Sequence, residues 1–198
     1  MNQFADGVAN ALKHGLPDGN DLAFLSLTGK IETAVRDAVA IHMQKNFASY
    51  WVCREQKRCD LVLMNQKGAV VVCIEFKDAV AGDLLYCIHD KPRYINLVLR
   101  DLEKSSKKFE DFPEAQHLAV LTVATQHGKL QADHGVKYLR GRHGHEAWSG
   151  SDLDWKTKEC DRVVKRHLNV LAQGYKQGES RGATVRIDWW LIDAPALV

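Results

Sequence analysis

The sequence predicts an α/β fold, a single domain with a mixed central sheet flanked by helices. Helical and strand patterns alternate along the chain. Two strand-like runs are joined by the hairpin turn Asn65-Gln66-Lys67-Gly68, which predicts an antiparallel pair. A third run, Leu118–Ala124, is almost continuously apolar, as a strand buried on both faces must be. With 198 residues, 45% of them hydrophobic, the chain can build one real core without disulfide or metal staples.

The elements follow in order. Phe4–Lys13 is amphipathic and ends in the Gly/Pro/Asn-rich turn Gly15–Asn20, an N-terminal arm over residues 1–27. From Thr28, a candidate N-cap, to Phe47 the apolar positions Ile31, Val35, Ala38, Val39 and Met43 have helical spacing, with His42 among them as a core histidine. Tyr50–Cys53, Arg58–Met64 and Ala69–Lys77 read as strands. Tyr94 to about Asp111 reads as a helix, with Ile95, Val98, Leu99, Leu102 and Phe109 on one face. After Leu118–Ala124 comes a long polar loop, Gly128–Ser151, then a helix over Asp152–Tyr175 and a last strand over Thr184–Ile192. The core spans about 28–125, with 126–198 a C-terminal elaboration.

Composition narrows the function classes. The longest apolar run, Ala69–Ile74, is far too short to cross a bilayer, so no membrane partner is expected. Asp6 and Asn10 interrupt the first residues early, which is not a secretory pattern. Five cysteines, with no Cys-x-x-Cys, read as reduced thiols of a cytoplasmic protein. Cys53, Cys59 and Cys73 can lie on adjacent strands, where buried thiols act as small hydrophobes rather than a zinc site.

Net charge is only +2, but its placement is uneven. Lys91–Lys108 carries net +4, while Lys129–His145 and Trp155–Arg166 each carry net +3. Such patches can track phosphates. The expected nucleic-acid contacts are Arg100, Lys104 and Lys107 on the predicted helix, with Arg140 and Arg142 in the long loop. His134, His143 and His145 lack Cys or acid partners at ligand spacing, so they are not read as a metal site. Trp189 and Trp190 should alternate faces, one in the core, with an interface or a stacked base as an option for the other.

The chemistry concentrates in the hairpin. On Ala69–Lys77, period-2 alternation sends Val70, Val72, Ile74 and Phe76 to one face and Glu75 and Lys77 to the other. Closing the turn at Asn65–Gly68 places Asp60 beside Glu75. Two carboxylates and an ammonium at one sheet edge suit metal-assisted phosphodiester hydrolysis. Asp60 and Glu75 would hold Mg²⁺, or Mn²⁺ in its place, while Lys77 orients the attacking water and stabilises charge. Glu32, bordering the apolar stripe of the preceding helix, is the candidate auxiliary acid; its bland alternative is an i,i+4 pair with Arg36. For the other three the bland alternative is an exposed ion-pair ladder.

Asp60, then Glu75-Phe76-Lys77 on the hairpin partner, with Glu32 on a helix before them, resembles the PD-(D/E)xK nuclease superfamily. The predicted order from Thr28 to Ala124 is similar to that family's αβββαβ, restriction endonuclease-like core. Cys59 stands where the family pattern often has proline, and the last third has no counterpart in the minimal motif. The resemblance implies a Mg²⁺-dependent nuclease acting on DNA, with RNA the second choice. Dimers are common in that family because a duplex has two strands, so a homodimer is to be considered. The other readings are a non-catalytic member that binds nucleic acid or protein, and an RNA-cleaving toxin.

Overall fold

The turn after Met64 closes the hairpin that carries the candidate site. Asn65 Oδ1 accepts the backbone N–H groups of Lys67 and Ala69, each at 3.0 Å. Gly68 takes φ +80°, a conformation that favours glycine. The hairpin strands are β2 (Cys59–Met64) and β3 (Val70–Val80). In this computed structural model, residues 3–56, 59–82, 84–85, 112–128 and 153–194 are described.

With β1 (Trp51–Gln56), β4 (Gln116–His127), β5 (Val170–Ser180) and β6 (Ala183–Asp193), they form a six-stranded sheet in the order β1-β2-β3-β4-β6-β5. Among the described strands only β3 and β4 run parallel, so the sheet is mixed as expected. Leu118 to Ala124 are all buried, in the interior of the sheet.

Helices cover both faces. One face packs on α1 (Gln3–Asn10), α2 (Gly19–Thr28) and α3 (Glu32–Asn46), burying Leu12, Leu22, Val35 and Met43 against Leu61, Ile74 and Phe76. The other packs on α4 (Leu153–His167), burying Cys160 and Val164 against Leu121 and Trp190. No helix among the described residues is long and apolar enough to cross a membrane.

Several expectations need correction. The N-terminal arm is part of the main core: α1, a π-helical turn at Ala11–Gly15 and α2 bury Ala5, Val8, Ala11 and Leu27 completely. Asp18, not Thr28, is a side-chain N-cap, accepting from Asn20 and Asp21. Thr28 ends α2, its hydroxyl bonded to the Phe24 carbonyl, and the next helix starts four residues later at Glu32.

The predicted helix over Asp152–Tyr175 ends at His167, and its last part is strand β5. Gly174 and Gly178 disfavour helix there. At Gly178 the backbone lies directly on Gly19 of α2, where no Cβ fits. The turn Arg181-Gly182, with φ +54° and +81°, then returns the chain into β6. Trp189 and Trp190 do occupy opposite faces, but both are buried. His42 is half-buried rather than core, with Nε2 3.2 Å from Asn10 Nδ2. The predicted helix 94–111, most of the loop 128–151, and with them Arg100, Lys104, Lys107, Arg140 and Arg142, lie outside the described residues.

Lys156 of α4 is 5% exposed and gives one long hydrogen bond, 3.4 Å to the Gln126 carbonyl. Burial pulls its ammonium below the ordinary 10.5. The folded pKa is the lower one, so between it and 10.5 the unfolded chain binds more protons and stability climbs with pH. Lys156→Met should stabilise the fold at neutral pH by about 1–2 kcal/mol and remove that climb, read by urea unfolding across pH.

Candidate active site

β2 pairs with β3 with Leu61 opposite Ile74, a register set by a bulge between Leu63 and Met64, and continuing it by one residue brings Asp60 opposite Glu75. Beyond Leu61 the Asp60 side chain takes over the pairing: its Oδ2 accepts the Phe76 N–H at 2.8 Å. That bond fixes the carboxylate to the backbone between Glu75 and Lys77.

Glu75 is 1% exposed on an interior strand. An exposed ion-pair ladder therefore does not describe it, and burying a carboxylate there is costly. Lys77, on the same side of β3 by alternation, stands beside Leu121 of β4 and is partly buried. Its carbonyl accepts the Thr122 hydroxyl at 3.2 Å.

Glu32 sits in the first turn of α3 and joins this group. Burial raises its pKa, Lys77 pulls it down, and Asp78 and Asp60 push it up, Asp78 also through a side-chain hydrogen bond. The expected alternative partner, Arg36, is engaged elsewhere: Nε to Asp37 at 3.1 Å and Nη1 to Glu55 at 2.9 Å.

Two members of the site were not expected. Asp78 meets Glu32 because β3 continues to Val80, which turns the residue after Lys77 toward α3. The acid following Glu-x-Lys was a visible signal, lost by ending the strand at Lys77. Glu55, between Arg54 and Gln56, stands opposite Asp60 with φ +56°, strained for a residue with a Cβ. No pattern in the sequence marks it. Arg54 also reaches Asp37 at 2.9 Å, so these pairs tie β1 to the helix that carries Glu32. Glu55→Gly relieves the strain and loses an exposed ion pair, opposed changes of about 1 kcal/mol each. Its unfolding free energy should stay within about 1 kcal/mol of wild type, whereas Glu55→Val should cost roughly 2 kcal/mol, by urea titration.

The donors are hard carboxylate oxygens, which suit a hard divalent cation that keeps most of its waters. Asp60 keeps Oδ1 while Oδ2 serves Phe76, and one step beyond the Leu61–Ile74 pair Glu75 lies opposite it in register. Among the described residues no three His, Cys, Asp or Glu side chains converge as a ready-made cage. Oxygen donors of this kind would suit Mg²⁺ with most of its waters rather than a zinc-type centre. Nearby, Cys59 raises the Cys73 thiol far above its usual range through a hydrogen bond, reinforced by burial. Both thiols are buried, as packing residues should be.

Searches against family models, curated proteins and solved structures find no match to this chain.

Proposed function

We propose that this chain is a Mg²⁺-dependent phosphodiesterase of the restriction endonuclease-like fold, cutting DNA. The observation that carries the reading is the Asp60 carboxylate anchored to the Phe76 N–H between Glu75 and Lys77, with Glu32 within electrostatic reach of Asp60 and Lys77. The order α3-β1-β2-β3 followed by a parallel β4 supports it, being the arrangement expected of that fold.

Asp60 and Glu75 would hold the cation, which when bound would supply a water of lowered pKa and offset charge on a phosphoryl oxygen. Lys77 orients the attacking water and stabilises the charge of the pentavalent transition state. Glu32, hydrogen-bonded to Asp78, is the auxiliary acid beside Lys77. The basic residues of 91–108 and 129–145 are the proposed contacts to the phosphate backbone.

The test incubates the protein with supercoiled DNA, linear DNA and RNA, each with Mg²⁺ and with EDTA. DNA cleavage in Mg²⁺ that stops in EDTA is expected. Cleavage that persists in EDTA overturns the mechanism, and cleavage of RNA alone moves the substrate. Binding without cleavage of any substrate favours a non-catalytic member of the fold.

A further inference from the structure

β1 is an end strand, so among the described residues no strand lies beyond its outer edge. A side chain occupies part of that edge instead. Gln44, an exposed residue of α3, lays its carboxamide there: Nε2 donates to the Tyr50 carbonyl at 3.1 Å, and Oε1 accepts the Val52 N–H at 3.0 Å. These are the two bonds that one residue of a parallel strand makes opposite Trp51, donating to the residue before it and accepting from the residue after it. A side-chain amide thus stands where a backbone amide would fit.

The row of backbone groups continues past Gln44. Val52 and Arg54 pair with Leu63 and Leu61 of β2. Because the Val52 N–H faces outward, alternation turns the Val52 carbonyl and the Arg54 N–H outward as well. No described group takes either of them. Open groups on an exposed strand edge are a template for another chain. The row stops at Glu55, whose φ of +56° breaks the extended backbone.

Alongside this edge a groove of about 520 Å³ separates β1 from α3. Ala40, Ile41 and Val52 give it an apolar wall, and Ile41 and Trp51, on opposite sides of the edge, are more than half exposed. Cations mark its two ends. Lys45, next to Gln44, has no ion pair among the described residues, and Arg54 stands at the far end beside Asp37. Asp37 is already shared by Arg36 and Arg54, at 3.1 and 2.9 Å, so the charge left over in the groove is positive.

We propose that this groove binds an extended acidic peptide of a partner protein, which adds to β1 as a parallel strand in place of the Gln44 amide. Its residue opposite Trp51 takes over the bonds to Tyr50 and Val52, and its residue opposite Cys53 makes the open ones to the Val52 carbonyl and the Arg54 N–H. The residue between them turns its side chain into the groove, where an aliphatic group meets Ala40, Ile41 and Val52. Acids opposite Tyr50 and Arg54 meet Lys45 and Arg54 at the two ends. The inference is independent of the phosphodiesterase reading.

The test is a ¹H–¹⁵N titration of the full chain with the peptide Ac-Glu-Val-Ile-Thr-Glu-NH₂, following the Arg54 amide. A saturable shift and slowed hydrogen exchange of that amide are expected. Methylating the threonine nitrogen removes the donor to the Val52 carbonyl and should weaken binding about tenfold. Methylating the isoleucine nitrogen, which faces away from β1, should leave it within about twofold. Lysines in place of both glutamates should weaken it about tenfold, and Gln44→Ala, which vacates the edge, should tighten it about threefold or more. The proposal is overturned by no saturable binding to wild type or Gln44→Ala, by equal effects of the two methylations, or by equal binding of the lysine peptide. Self-association of Gln44→Ala without peptide binding also overturns it, and gives the edge to a second copy of the chain.

Discussion

Asp60→Asn should lower Mg²⁺-dependent cleavage roughly a thousandfold or more while leaving the fold almost untouched. The asparagine keeps an oxygen to accept the Phe76 N–H, so the bond that closes the end of β2 on β3 survives. What disappears is the negative charge facing Glu75 across the register. Asp60→Ala also removes the acceptor, and should cost a further 1 kcal/mol or so of stability. Lys77→Ala should match the loss of cleavage without the loss of cation binding. Single-turnover cleavage beside urea unfolding separates these effects. Near wild-type cleavage by Asp60→Asn would remove Asp60 from the chemistry.

Phe76→Ala should destabilise the protein by about 3–5 kcal/mol, a large part of the roughly 5–15 kcal/mol that holds a domain of this kind. Phe76 is 1% exposed and packs in the cluster shared with α1–α3. The expected fall in melting temperature is on the order of 10 °C, with Phe76→Leu losing much less. Because Phe76 separates Glu75 from Lys77, this substitution loosens the strand that aligns both. A melting temperature unchanged in Phe76→Ala would mean that this strand is not packed as described.

The parts of the fold governed by local pattern were legible in the sequence. Asn65–Gly68 carried its own turn chemistry, and alternation along Val70–Lys77 separated Phe76 from Glu75. The register of Asp60 against Glu75 needs more than these two facts, because a bulge between Leu63 and Met64 shifts the pairing by one residue. The parts set by tertiary contacts were not. The predicted helix runs on to Tyr175, whereas Gly174, Gly178 and the pairing with β6 make Val170–Ser180 a strand. Ala5, Val8 and Leu12 are too few to announce a core, yet three short helices bury them completely against the sheet. Asp78 stands in plain view after Glu-x-Lys but joins the site only because β3 runs on to Val80, and the strained backbone of Glu55 has no mark in the sequence. Arg36 shows the same limit: four residues after Glu32, it pairs instead with Asp37 and Glu55.

The central claim is that Asp60 and Glu75 together hold one hard cation, and binding tests it more directly than catalysis. Calorimetric titration with Mn²⁺, in the wild type, Asp60→Asn, Glu75→Gln and Lys77→Ala, counts the ions and locates them. One ion per chain is predicted in the wild type and in Lys77→Ala, and none at the same concentrations in either acid variant. Binding that is absent in the wild type, or unchanged in Asp60→Asn, would contradict the account.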